Sequence, residues 1–270
     1  MKPTVVRFYK GSNVTVRDIR IINSPLCHLK FDSSWGVKVN NITIASPQDS
    51  PNTDGIHLEH TRNVEIKHSV IGCGDDCVSM QTGCSNINIQ NIDCSPSHGI
   101  SIGSLGRGNS LACVSNVSID SITVQNSQSA VRIKTWQGGV GSVRNVTFSN
   151  IHVSDVEVPI VIDQYYCNKR SCKNKTDAVA ISGIAYRGIV GTYLYQPMRL
   201  ACSDSLPCTD VSLDDIQLWP EHSSGDLRPA SCWNTYGEAE GRIKPSSIGC
   251  LQRHSGKVIR ALTKSHMYTC

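Results

Sequence analysis

Several features are missing from this 270-residue chain, and each absence excludes something. No apolar run approaches the roughly 18 residues of a membrane span, so no membrane partner is expected. No Cys-x-x-Cys pair occurs and the histidines lack zinc-ligand spacing, so no structural metal site is expected; no cofactor is expected either. Lys and Arg form no basic run, which argues against nucleic acid. Residues 1–10 (MKPTVVRFYK) are too short and too charged for the apolar core of an export signal. Aromatic residues are few, with three Phe and four Trp, so the core must come from aliphatic side chains.

What is abundant points elsewhere. The net charge of +4 suits an anionic partner without identifying one. Asn, Ser, Ile and Val favour short strands joined by polar turns. Thirteen cysteines are too many for an ordinary cytosolic enzyme. The close pairs Cys167/Cys172 and Cys202/Cys208 read as small disulfide-closed loops. Because thirteen is odd, a monomer, the expected state, leaves at least one thiol unpaired, and Cys270 is the expected one. Five Asn-x-Ser/Thr sequons, at Asn13, Asn41, Asn116, Asn145 and Asn174, fit a secreted glycoprotein. Oxidising-compartment cysteines without an export signal are reconciled if the chain starts inside a longer precursor.

A string of Asn, an apolar residue, any residue and another apolar residue recurs at Asn13, Asn41, Asn63, Asn86, Asn116 and Asn145. Each string is followed by two further short alternating pieces, giving three strands in about 22 to 30 residues, the signature of a solenoid. Stacked coils cover the strand edges, which short strands require. Leu is scarce and helical periodicity is absent, which excludes leucine-rich repeats. The expected fold is all-β, a right-handed parallel β-helix, with a β-sandwich as the alternative. The repeated Asn is read as a turn residue that bonds its neighbour in the next coil. The coils lose regularity after Asp163, although strands remain readable at 178–186, 197–202 and 211–218. Residues from about 220 to 250 read as a C-terminal cover. The helix domain is placed at 1–251, and 252–270 as a disordered tail.

Three titratable residues share one phase of this repeat. Asp54, Asp76 and His98 are spaced by 22 residues and precede the triplets Ile56-His57-Leu58, Val78-Ser79-Met80 and Ile100-Ser101-Ile102. In adjacent coils, about 4.8 Å apart, they form a column, with Asp75 beside it. Three crowded carboxylates are expected to raise one pKa. A protonated carboxyl beside ionised ones suits glycosidic bond cleavage, in which one group protonates the leaving oxygen and another activates water. Arg132 and Lys134, two residues apart on one strand, share that face and suit a sugar bearing a carboxylate. Each feature alone is as readily a turn or a solvated strand face; their common phase favours a site.

At these residues the chain resembles a known family. Asn52-Thr53-Asp54-Gly55, Gly74-Asp75-Asp76-Cys77, Ser97-His98-Gly99 and Arg132-Ile133-Lys134 follow the order and approximate spacing of polygalacturonases of glycoside hydrolase family 28, the plant members in particular. The resemblance runs from about Arg7 to Leu251. It implies inverting hydrolysis of the α-1,4 links of pectin homogalacturonan, a secreted, cell-wall setting, and no metal. It implies Asp75 as general acid, Asp54 and Asp76 as the pair that holds and activates water, and His98 as a residue tuning the acid. Arg132 and Lys134 would bind the substrate carboxylate. Asn52 would orient a carboxylate or sugar, and Tyr166, or its neighbour Tyr165, would line a subsite. The resemblance also implies disulfides Cys77–Cys94 and Cys232–Cys250. Arg7-Phe8-Tyr9 aligns well inside the usual chain, so the first coils of the family are expected to be missing. An inert, pectin-binding β-helix is the competing reading.

Overall fold

The computed structural model describes residues 2–167, 172, 174, 175, 177–222, 226–252 and 270. Two parallel sheets carry almost all of the regular structure. One contains nine strands in strict chain order. These are Val6–Tyr9, Leu29–Asp32, Ile56–Glu59, Val78–Met80, Ile100–Leu105, Val131–Trp136, Ile160–Tyr166, Met198–Ala201 and Ser231–Trp233. Each strand pairs with the strand one coil away, giving a parallel β-helix of nine coils among the described residues. The expected solenoid is therefore the observed fold.

The second sheet corrects the count of strands per coil. The first two coils contain separate pairs, Thr15–Arg17 with Arg20–Ile22 and Trp35–Asn40 with Thr43–Ala45. Later coils merge the pair into one long bent strand, as in Cys84–Cys94, Leu111–Ser127 and Val140–Val156. Two left-handed residues five positions apart make the bends: Asn86 and Asn91, Asn116 and Ser121, Asn145 and Asn150, all with φ between 52° and 56°. Asn tolerates this conformation better than most residues because its side chain bonds locally. Those side chains also tie coil to coil. Asn86 Nδ2 donates to Asn63 Oδ1 (3.0 Å), Asn116 to Asn86 (3.1 Å) and Asn145 to Asn116 (3.2 Å). The structural reading of the repeated Asn holds.

Alternation fills the tube. Leu29, Ile56, Val78, Ile100, Val131, Ile160 and Met198 stack in one inward column, each fully buried. A parallel column runs through Phe31, Leu58, Met80, Ile102, Ile133, Ile162 and Leu200. Full burial of such a side chain contributes roughly 1.5–3 kcal/mol, so these columns fix the register by which outward residues line up. The segment expected as a cover contributes a further coil instead. Ser231–Trp233 and Thr235–Lys244 pair onto the two sheets, and the short 3-10 turn Ser246–Gly249, with Ile248 fully buried, packs against the core beyond them. Of the tail expected at 252–270, residues 253–269 lie outside the described residues.

Disulfides join Cys77–Cys94, Cys167–Cys172, Cys202–Cys208 and Cys232–Cys250, as expected. Cys270 is not unpaired: it bonds Cys113 on the strand Leu111–Ser127. The free thiols are Cys27, Cys73 and Cys84. All three are buried, Cys73 and Cys84 within the apolar core, and burial pushes the thiols of those two up to about 12. An odd cysteine count showed that some thiol is free, but not that the free ones are those the core encloses.

Candidate active site

The sheet register places the expected residues together. Ile56, Val78 and Ile100 are paired neighbours, so Asp54, Asp76 and His98, each two residues before them, occupy one position on three successive coils. Ser101 pairs with Arg132, which continues the outer column of His57 and Ser79. Neighbouring backbones force glycine at these turns. A Cβ on Gly74 would lie 2.1 Å from the Ser50 carbonyl oxygen, and Gly99, at φ +83°, would meet the Ser129 carbonyl at 2.2 Å.

Asp76 is the most constrained carboxylate. It is almost fully buried, and three groups donate to it. Its Oδ1 accepts from Ser101 Oγ (2.7 Å) and Arg132 Nη2 (2.8 Å), and its Oδ2 accepts from Lys134 Nζ (2.8 Å). Burial by itself pushes its pKa up. The Lys134 ammonium and then the Arg132 guanidinium outweigh that effect and hold it at about 2. At Asp76 the shift runs opposite to the one that crowding among like charges produces. Two cations reach over from the strand Val131–Trp136 and neutralise the charge that crowding would have penalised.

Asp54 faces a different set of partners. Ser79 Oγ donates to its Oδ2 at 2.7 Å, and His57 Nδ1 lies 2.8 Å from the same hydroxyl. Since the hydroxyl proton goes to Asp54, His57 must donate through Nδ1–H, which fixes its tautomer. Asp75 is more accessible, with a side chain 23% exposed. Its Oδ1 accepts the backbone N–H of Asp76 (2.8 Å) and lies 3.1 Å from His98 Nδ1. Ligand atoms of Asp75, Asp76 and His98 lie within 4.8 Å of one another, so the three form one cluster.

Tyr166 lies beside this cluster, with its ring 5.6 Å from Lys134 Nζ and edge-on to Trp136 at 5.3 Å. Tyr165 turns away to Asp204, to which its hydroxyl donates (2.9 Å). Asn52 is exposed on the preceding turn with φ 59°. The residue of that motif that grips the next coil is Thr53. Its Oγ1 accepts from Gly74 N–H (3.0 Å) and donates to the Ser50 carbonyl (2.9 Å). Sequence reasoning missed Thr53, His57, Ser79 and Ser101 as partners, although the last three are the central residues of the aligned triplets.

Clustered carboxylates, a histidine and a largely buried cation pair thus share one outer sheet face of a parallel β-helix. The family is shown by comparison: the model of glycosyl hydrolases family 28 matches residues 1–235, and the chain belongs to that family. It is 43% identical over 249 residues to a polygalacturonase of Chamaecyparis obtusa, covering 91% of this chain and 48% of that protein. Among solved structures it is similar to a polygalacturonase from Erwinia carotovora, with a TM-score of 0.74 and 26% identity over 88% of this chain and 60% of that one. It is also similar to an endo-xylogalacturonan hydrolase from Aspergillus tubingensis, with a TM-score of 0.75 and 25% identity over 94% of this chain and 68% of that one. The chain spans about half the length of the curated relatives it matches. No helix among the described residues is long and apolar enough to cross a membrane.

Proposed function

We propose that the protein is a secreted, monomeric polygalacturonase that hydrolyses α-1,4-galacturonosidic bonds of pectin homogalacturonan in the cell wall, with inversion. The observation that carries this reading is the division between two adjacent carboxyls. Asp76 is buried and held ionised by Lys134 and Arg132, while Asp75 is accessible beside His98. A permanently ionised group cannot donate a proton, so Asp75 is the general acid. It protonates the glycosidic oxygen as the C1–O bond breaks. Water attacks C1 from the opposite face and loses its proton to a carboxylate. Asp54 is the better acceptor, because both oxygens of Asp76 are already engaged by donors. Asp76 then orients the water and keeps the cations in place.

The same cations suit a uronic acid. Lys134 places one of its three N–H donors on Asp76, leaving donors for a substrate carboxylate, and Tyr166 packs beside it. Arg132, whose Nε, Nη1 and Nη2 already donate to Ser101, Gln128 and Asp76, adds positive charge beside it. The exposure of Asn52 on the preceding turn supports a role for it as a sugar contact. The test is reducing-sugar release from polygalacturonate by the wild type and by Asp75→Asn. Release by the wild type that drops by about three orders of magnitude in the variant is expected. Equal rates refute the assignment of Asp75, and no release by either folded protein favours an inert pectin-binding helix.

A further inference from the structure

The catalytic sheet continues past the cations, and its outward positions stay in register. Arg132 pairs in sequence with Val161, Arg199 and Ser231, and Lys134 with Asp163, Ala201 and Trp233. At about 4.8 Å per coil, Arg199 lies roughly 10 Å and Trp233 roughly 14 Å along the sheet from the cation pair. Arg199 is exposed, and Trp233 is 59% exposed.

An exposed tryptophan by itself is unremarkable. This one is held open. Its Nε1 donates to Asp204 Oδ1 at 2.8 Å, and the Tyr165 hydroxyl donates to the same oxygen at 2.9 Å. Burial, then Asp204, pushes the Tyr165 hydroxyl pKa up, which keeps it a donor. Asp204 sits in the loop closed by Cys202–Cys208, and Trp233 follows Cys232, which is tied to Cys250. Two cross-links and a shared carboxylate thus fix an indole face towards solvent. The intervening Asp163 is engaged by the Tyr165 backbone N–H at 2.9 Å. Fixing the ring in advance removes the ordering cost that a ligand would otherwise meet.

We propose that Trp233 and Arg199 form a distal subsite for the polyuronide chain as it continues past the cation pair. The inference rests on the polyuronide reading of the site. The indole face takes the C–H face of a sugar ring, and the Arg199 fork takes a carboxylate. Tyr165 and Asp204 are positioning residues that hold the indole.

Two measurements test this. In the first, Trp233→Ala lowers kcat/KM on long polygalacturonate about tenfold through KM, while oligomers too short to reach Trp233 lose less than about twofold. Trp233→Phe, which keeps an aromatic face, recovers part of the loss. In the second, tryptophan fluorescence of Asp75→Asn is titrated with a long oligogalacturonide, with and without Trp233→Phe. A binding signal that disappears with the indole supports the subsite and requires no turnover, so it stands apart from the hydrolytic reading. Equal losses of kcat/KM on short and long substrates, or a signal amplitude and affinity unchanged without Trp233, overturns the proposal.

Discussion

Lys134→Met is the sharpest probe of the electrostatics on the catalytic face. Met keeps an unbranched stem of the length of the Lys methylenes and removes the ammonium that lies 2.8 Å from Asp76 Oδ2. Asp76 has an ordinary pKa of 3.8 and is held at about 2 in the folded chain. That depression corresponds to roughly 2 kcal/mol of stability. Because the folded pKa lies below the unfolded one, the contribution is fully present above about pH 4. It is lost as the pH falls through the folded value near 2. In the variant, burial still pushes the pKa up and only Arg132 and Ser101 oppose it, so the depression shrinks or reverses. Breaking a buried pair by removing one partner costs about 3–5 kcal/mol. The surviving Arg132 and Ser101 donors bring the expected loss at pH 7 to about 2–3 kcal/mol. Urea denaturation followed by circular dichroism, with disulfides intact, measures the gap to wild type from pH 2.5 to 7. The gap is expected to narrow at the acid end, where the unfolded state takes up the Asp76 proton while the folded wild type does not, so the contribution of the depressed pKa falls. A double-mutant cycle with Asp76→Asn isolates the coupling. A gap that stays constant across that range refutes the argument, because the lysine would then contribute packing and not charge.

Two further outcomes follow from the coil geometry. Cys77–Cys94 closes a sequence separation of 17 residues beside the Asp75-Asp76 turn, so Cys77→Ala with Cys94→Ala is expected to lower stability by about 3 kcal/mol in reversible denaturation and to reduce turnover. Glycopeptide mapping of protein from a secreting host is expected to find Asn116 and Asn145 unmodified, because their side-chain amides are the donors of the Asn ladder. Exposed Asn174 is expected to carry glycan instead.

Much of this architecture was legible because a β-helix writes its register into the chain. Inward Ile, Val and Leu alternate with outward polar residues, and a constant 22-residue step kept Asp54, Asp76 and His98 in phase without any insertion between them. The spacing of Arg132 and Lys134 likewise put both on the outer face. The left-handed bends were less legible. One Asn looks like the end of a strand, yet a bent strand continues through it, as at Asn91 in Cys84–Cys94. Cys270 was misread because its partner Cys113 is 157 residues away, and local spacing carries no signal for such a pair. The support of Trp233 was invisible for the same reason. Asp204, Tyr165 and Trp233 come from three different coils, and only stacking brings them to one carboxylate.

The pair Asp75-Asp76 shows what stacking adds to composition. In sequence the two are identical neighbours, and crowding among like charges predicts only that one of them is disfavoured as an anion. The cations decide the matter from a strand two coils away. Both bind Asp76, because it occupies the stacked column that the Val131–Trp136 strand faces. Asp75 turns instead towards His98 on the adjacent coil. Exchanging the order of donor and anchor would require moving the cations by one residue along their strand, which would turn them into the core. The proposed division of donor and anchor within one Asp-Asp dipeptide therefore rests on the register, held in place by the apolar columns inside the tube.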